Sequence, residues 1–153
     1  MAGPSGVERF AQATEGLGLE VSYMDQSTHT AEEAAAAVGA PVAAIVKSLL
    51  FFAGDEPILV LASGPNRVNV EAVGERLGQP LVKADAAAVK STTGWSIGGV
   101  PPLGHPTALR TVMDEDFFAL ETLWAAAGSA TAVFPISPER LRELTGAEVI
   151  SVV

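Results

Sequence analysis

Cysteine is absent from the 153-residue sequence, and histidine occurs only twice, at His29 and His105. The first absence removes disulfides, thiolate zinc sites, iron–sulfur clusters and thiol nucleophiles together. The second leaves too few imidazoles for a histidine-built metal centre. Positive charge is scarce as well: nine Lys and Arg against 18 Asp and Glu give a formal net charge of −9. That balance argues against a broad electrostatic grip on nucleic acid and confines any such contact to a small local one. No apolar run approaches the about 20 residues that a membrane-spanning helix needs. The first ten residues, MAGPSGVERF, lack the basic and apolar regions of a secretory signal, so none is expected. What the sequence does have, 48% apolar and 18% charged residues, is the makeup of a globular protein. Its length suits one domain able to bury about two thirds of its unfolded surface.

The chain divides into short elements with clear stops. Ser5 to Leu17 carries apolar residues at helical spacing, and Leu19 to Tyr23 alternates like a half-buried strand. Thr30-Ala31-Glu32-Glu33 fits a capping box that opens a helix ending at Gly39, with Pro41 barring its continuation. Val42–Ala53 and Pro57–Ser63 read as two strands of a hairpin turning at Gly54-Asp55-Glu56. Asn69 caps a helix through Leu77, stopped by Gly78, and Asp85 caps another through Lys90. Gly94 to Pro106 (GWSIGGVPPLGHP) holds four glycines and three prolines in thirteen residues, an irregular loop long enough to be a functional candidate. Strands follow at Leu109–Met113, Leu123–Ala127 and Ala130–Phe134, the last two joined at Gly128-Ser129. A short helix is expected over Asp114–Leu120. Ser137 and Pro138 open a final helix closed by Gly146, and Ala147–Val153 forms a terminal strand. Hairpins interleaved with helices predict one α/β domain with a mixed sheet rather than a doubly wound parallel one.

Gly94-Trp95-Ser96-Ile97-Gly98 formally matches the G-x-S-x-G nucleophile elbow, but its context opposes it. A hydrolase of that kind places an acid and then a histidine downstream of the serine. Here the only later histidine, His105, lies in the same loop and precedes every later acid. Lys47 is the better signal. It interrupts the apolar run Ala43–Phe52, and on a strand its same-face neighbours are Ile45 and Leu49. Such a lysine either guards a sheet edge against aggregation or faces a cavity that takes an anion, a phosphate above all; position alone leaves both open. The adjacent glycines of Gly98-Gly99-Val100-Pro101-Pro102 let backbone amides approach a ligand, and the prolines stiffen them; a plain structural turn is the other reading. Asn66 and Arg67 follow the second hairpin strand, where both side chains could reach the sheet end that holds Lys47 and Arg67 could meet a ribose or phosphate; a solvated loop charge is the other reading. Asp114-Glu115-Asp116 reads as helix-start acids, His29 as a surface residue, and Trp95 and Trp124 as either pocket or packing residues.

Taken in order, IVKSLLF around Lys47 and the G-x-x-x-P loop IGGVPPLGH resemble the YbaK-like aminoacyl-tRNA deacylases, relatives of the editing domain inserted in bacterial prolyl-tRNA synthetases. The resemblance extends over STHTAEEAA, SGPNRVNV and SPERLRELTGAEV, nearly the whole chain, so the editing domain is taken as 1–153. It implies an α/β fold with a mixed, mostly antiparallel and partly closed sheet surrounded by helices. It also implies a free-standing, cytoplasmic enzyme, monomeric or homodimeric. Such an enzyme hydrolyses the ester of mischarged tRNA, in particular proline tRNA carrying alanine, cysteine or 2-aminobutyrate. Lys47, Gly98 and Gly99 stand at the catalytic positions, with Gly99 the closest backbone to the aminoacyl group. Val100, Pro101, Pro102, His105, Asn66, Arg67, Thr28 and Thr30 stand where substrate is held. No cofactor or metal is implied; the partners are the tRNA acceptor end and prolyl-tRNA synthetase. Some members select the amino acid with a His or Arg after a Gly-Lys in the late hairpin. Here Gly128-Ser129-Ala130 occupies that place, so Ala130 departs from the pattern. An aminoacyl ester is already activated, and a synthetase pocket that fits proline rejects a smaller amino acid by only about 1–3 kcal/mol per methylene, which is why a second, hydrolytic site is needed. A non-catalytic module binding an aminoacyl-adenylate or nucleotide is the alternative from another class.

Overall fold

A computed structural model describes residues 5–153; Met1–Pro4, part of the segment read for a secretory signal, lie outside the described residues. Helix α1 (Gly6–Ala13) is capped by the Ser5 hydroxyl and buries Val7 and Phe10. It ends sooner than its apolar spacing predicts, at Thr14, whose hydroxyl bonds back to the Phe10 carbonyl. Strand β1 is only Ser22–Tyr23. Helix α2 (Ala31–Val38) begins at the reciprocal Thr30–Glu33 capping box and ends at Gly39. A 3-10 turn over Val42–Ala44 takes the start of the expected strand, so β2 is Ile45–Ala53. Strand β3 (Glu56–Ser63) returns along it. Helix α3 (Val70–Leu77) lies between Asn69 and Gly78. Strand β4 (Val82–Lys83), a pair too short to leave a sequence pattern, precedes helix α4 (Ala86–Thr93), which runs past Lys90 to Gly94.

Strand β5 (Arg110–Asp114) leads into a 3-10 helix over Glu115–Ala119. Strands β6 (Leu123–Ser129) and β7 (Ala132–Ile136) turn at Ala130-Thr131 rather than at Gly128-Ser129, because a register irregularity between Ala126 and Ser129 carries β6 through the glycine. Helix α5 (Pro138–Thr145) and strand β8 (Glu148–Ile150) complete the described chain.

All eight strands join one sheet in the order β1-β7-β6-β2-β3-β5-β8, with β4 attached to β2. The β1–β7, β6–β7, β2–β3 and β2–β4 pairings are antiparallel; β2–β6, β3–β5 and β5–β8 are parallel. The fold is therefore the expected mixed, mostly antiparallel α/β domain. Its sheet is an open path, with β1 and β8 at opposite ends, and does not close on itself. Leu50, Leu59 and Leu61 pack on one face with Phe10, Met113 and Phe134. Their neighbours Phe51, Ile58 and Val60 pack on the other face with Val73 and Val112. Burial on both faces explains why these strands read as continuous apolar runs.

One irregularity interrupts the sheet. Strand β2 pairs with β3 along its length, but its other side is forked. Ile45 and Val46 pair with Trp124 and Ala125 of β6, whereas Phe51 and Phe52 pair with Lys83 and Val82 of β4. Between those two partners Lys47–Leu49 has no strand beside it, and the Ala84 amide bonds to the Leu50 carbonyl at the far edge of the gap.

Candidate functional site

A cavity of about 380 Å³ opens at this fork. Lys47 and Ser48 of β2 and Trp124 and Ala125 of β6 form one side of it, and Glu32 at the start of α2 and Gly98 of the irregular loop form another. Because β2 lies inside the sheet, Lys47 guards no edge: it projects from an interior strand into a gap. Its Nζ donates a hydrogen bond to the Asn66 carbonyl at 2.5 Å. Burial pushes the ammonium below its ordinary pKa of 10.5; Glu32 pulls it back up, Arg67 lowers it, Asp114 raises it and Lys83 lowers it. A cation kept here against a desolvation cost fits an anionic or oxygen-rich partner.

The two adjacent glycines do different things. Gly98 lines the cavity at φ +92°, and a Cβ there would lie 2.1 Å from Nδ1 of His29, so only glycine admits the imidazole against this backbone. Gly99 is packed on the turn between β6 and β7, where a Cβ would lie 2.9 Å from Cα of Ser129. The Gly99 amide is already bonded to the Ser96 carbonyl at 3.0 Å. Of the two, Gly98 lines the cavity and Gly99 does not. Among the described residues the amides of Gly98 and Val100 bond to no protein acceptor, and both residues line the cavity. Pro101 and Pro102 are buried behind the loop, outside the cavity wall.

Thr28 and Thr30 do line it. Thr28 bonds through both its amide and its hydroxyl to the Ala130 carbonyl, at 2.6 and 2.8 Å, which ties the α2 entry to the β6–β7 turn. The Thr30 hydroxyl is engaged by the Glu33 amide. Asn66 touches Lys47 through its carbonyl only; its side-chain amide points to Asp114 and Asp116, at 2.8 and 2.7 Å. Arg67 is exposed and does not line the cavity. His105 lies away from it: Nε2 meets the Pro101 carbonyl at 2.9 Å and the ring packs edge-on against Trp95. Burial holds its pKa below the usual 6.5, partly offset by that carbonyl. Ser96 is exposed and makes no hydrogen bond to His105, so no serine–histidine pair exists in the loop.

Residues 25–144 match the family model described as the aminoacyl-tRNA editing domain. The chain belongs to that family. The match holds α2, Lys47 and the whole Gly98–Pro102 loop. The editing domain is 28% identical over 131 residues to the protein YwhH of Bacillus subtilis, covering 85% of this chain and 83% of that one. It is 30% identical over 129 residues to the proline–tRNA ligase of Lactobacillus helveticus, covering 84% of this chain but only 23% of the ligase. It thus spans under a quarter of that enzyme's length. Among solved structures, a candidate trans-editing enzyme for prolyl tRNA synthetase superposes with a TM-score of 0.91 at 41% identity, over 99% of this chain and 98% of the other.

Sequence reading missed several residues of the editing domain's cavity. His29, read as a surface residue, is exposed but also forms cavity wall against Gly98. Ser48 escaped notice because strand alternation sends it to the face opposite Lys47; only the fork brings both to the cavity, where the Ser48 hydroxyl is buried without a partner. Glu32 carried a usable signal, an acid in the first turn of the helix that the STHTAEEAA segment opens. Lys83 carried none, since its two-residue strand is defined by pairing alone.

Proposed function

We propose that this editing domain is an aminoacyl-tRNA deacylase acting in trans, hydrolysing the ester between proline tRNA and a small non-cognate amino acid such as alanine, cysteine or 2-aminobutyrate. The likeness to proline–tRNA ligases and to the trans-editing structure supports the substrate class. The observation that carries the reading is the fork cavity itself, which presents a half-buried lysine beside uncommitted loop amides with no thiol or serine–histidine pair. Its size falls within the roughly 300–1,000 Å³ of small-molecule sites. Water attacks the ester carbonyl carbon, the amides of Gly98 and Val100 hold the oxygen that gains charge, and the ribose oxygen leaves with a proton. Lys47 fixes the terminal nucleotide through its phosphate or ribose. Gly99, Pro101 and Pro102 act by packing and stiffening this loop.

The acceptor end is the part of tRNA bound, with prolyl-tRNA synthetase as the functional partner. The working unit is the whole of 1–153: Phe10 of α1 and Val152, both outside the family match, are fully buried. The test is a panel of proline tRNA charged with alanine, cysteine, 2-aminobutyrate, serine or proline. Release of one or more of the small non-cognate amino acids, with prolyl-tRNA spared, is the expected result. Chelator treatment and Ser96→Ala should each leave the rate within about threefold, far from the roughly 10⁶-fold loss that removing a nucleophile brings. Binding of an aminoacyl-nucleotide without hydrolysis of any ester would make the chain a binding module instead. Covalent capture of Ser96 by a fluorophosphonate would reinstate a serine nucleophile.

A further inference from the structure

Behind Lys47 lies a set of carboxylates that the proposed reaction does not use. Asp114, at the end of β5, is 1% exposed and fully engaged. Its Oδ2 accepts from the Ser63 amide at 3.0 Å and from Asn66 Nδ2 at 2.8 Å, and its Oδ1 accepts from the Asp116 amide at 3.0 Å. Asp116 reaches Nδ2 of the same asparagine at 2.7 Å. The chain turns tightly here, with the Asn66 amide bonded to the Ser63 carbonyl at 2.9 Å. The side-chain amide of Asn66 is therefore pinned by two acids, while its main-chain carbonyl receives Lys47 Nζ.

A buried acid with three protein donors and no access to the cavity is a costly way to end a strand unless its position is needed. We propose that Asp114 and Asp116 are positioning residues that act through Asn66, holding its carbonyl where it orients the Lys47 ammonium in the cavity. The inference rests on the deacylase reading for its consequence but not for its geometry. One donor of the ammonium is committed to a fixed acceptor, which leaves the other two available to a ligand. The charged groups around Lys47 are Glu32 from α2, Arg67 from the loop after β3, Asp114 from β5 and Lys83 from β4. Of these, only Asp114 is joined to it through hydrogen bonds, by way of Asn66.

Asn66→Ala is the informative variant, because it keeps the main-chain carbonyl and removes only the clamp. Asp116→Ala is the milder second variant, since Asp116 is exposed and Asp114 still holds the asparagine. Two readings are taken on each: kcat and KM for deacylation across pH, and the titration of the Lys47 side chain by NMR of a lysine-labelled protein without substrate. Asn66→Ala should lower kcat about tenfold, roughly the effect of misplacing one charge-assisted hydrogen bond, with KM within twofold. Its Lys47 titration should shift downward, and Asp116→Ala should give a smaller change of the same kind. An unmoved Lys47 titration in folded Asn66→Ala would overturn the proposal, whatever the rate does. A rate loss equal at every pH and tracking only the melting temperature would overturn it too. A shifted titration in a protein that hydrolyses no aminoacyl ester would uphold the clamp and sink the deacylase reading alone.

Discussion

Replacing Lys47 with Met separates a lysine that serves the fold from one that serves a substrate. The folded protein loses one hydrogen bond from the ammonium to the Asn66 carbonyl, which is worth about 1.5–3 kcal/mol when a charged group takes part. It also stops holding a half-buried cation whose pKa is pushed down, a sign that desolvation outweighs the attraction of Glu32 and Asp114. The methionine keeps most of the apolar stem between Ile45 and Leu49. Asn66 is half-buried, so its carbonyl exchanges the lysine for solvent. These effects oppose each other, so stability should change by no more than about 1 kcal/mol in either direction.

Turnover should behave quite differently. Removing a charge that grips the reacting complex costs roughly 10²-fold or more, and Lys47→Arg should rescue poorly because a planar guanidinium keeps the charge without the compact geometry. Thermal unfolding and single-turnover release of the amino acid measure the two effects. The linkage adds a signature. Since the folded pKa lies below 10.5, the unfolded chain holds more protons between that lowered value and 10.5. Wild-type stability therefore rises with pH through this window, and the Met variant should lack the rise. Deacylation, corrected for spontaneous ester hydrolysis, should decline over an alkaline limb centred below 10.5. A Lys47→Met protein that unfolds, or one that deacylates at the wild-type rate, refutes the argument.

Three other outcomes follow from the same geometry. Gly98→Ala places a side chain at φ +92° and 2.1 Å from His29 Nδ1; it should cost about 1–2 kcal/mol by denaturant titration and raise KM, and removing the imidazole in a Gly98→Ala/His29→Ala double variant should recover KM but not the backbone strain. Binding of an acceptor-end oligonucleotide should depend only weakly on salt: with Lys47 and Lys83 at the cavity and Arg67 beside it, log K should fall with log salt at a slope of about −2, at roughly −0.7 per phosphate, and a slope of −5 would demand a basic surface that a chain of net charge −9 does not offer. His105, kept neutral by burial with a pKa below 6.5, protonates more readily unfolded, so stability should drop as pH falls from about 6.5 through the lowered value; His105→Gln should flatten that slope in pH-dependent melting while leaving KM unchanged.

Most of the element order was legible because its punctuation is local. Thr30 with Glu33, Asn69, Asp85 and Ser137 cap the helices they were expected to cap, and Gly39, Gly78 and Gly146 end theirs. Such signals involve residues three or four apart and owe nothing to the rest of the chain. The cavity was legible only in pieces. Lys47 stood out because a charge in an apolar strand is expensive, and Gly98 because paired glycines announce close approach. Their meeting with Thr28, His29 and Trp124 depends on pairings between distant segments, which no local pattern encodes. The same limit produced the misplacements. His105 shares a loop with the glycines yet faces Trp95, and Asn66 sits beside Lys47 yet turns its side chain to the acids behind it. Proximity in sequence fixed their neighbourhood but not their direction.

The fork in β2 explains why a cavity at this place is suited to a small polar ligand. The Leu50 carbonyl faces the gap, where it accepts the Ala84 amide, and period-two alternation turns the main-chain groups of Ser48 the same way. In a continuous sheet those groups would be consumed by a neighbouring strand. Here they face the cavity beside the unpartnered Ser48 hydroxyl. Recognition can therefore rest largely on main-chain donors and acceptors whose placement is set by the strand and survives side-chain substitution. Under the proposed deacylase reading, choice between amino acids falls to the apolar wall supplied by Ile45, Ala125 and Ala126, where a methylene more or less in the ligand is worth only about 1–3 kcal/mol. A residue bulkier than the wall permits meets steric overlap and is refused, whereas a smaller one loses only that modest increment and is tolerated. The proposed editing role needs that asymmetry, since a site with that role accepts what a synthetase pocket fails to reject.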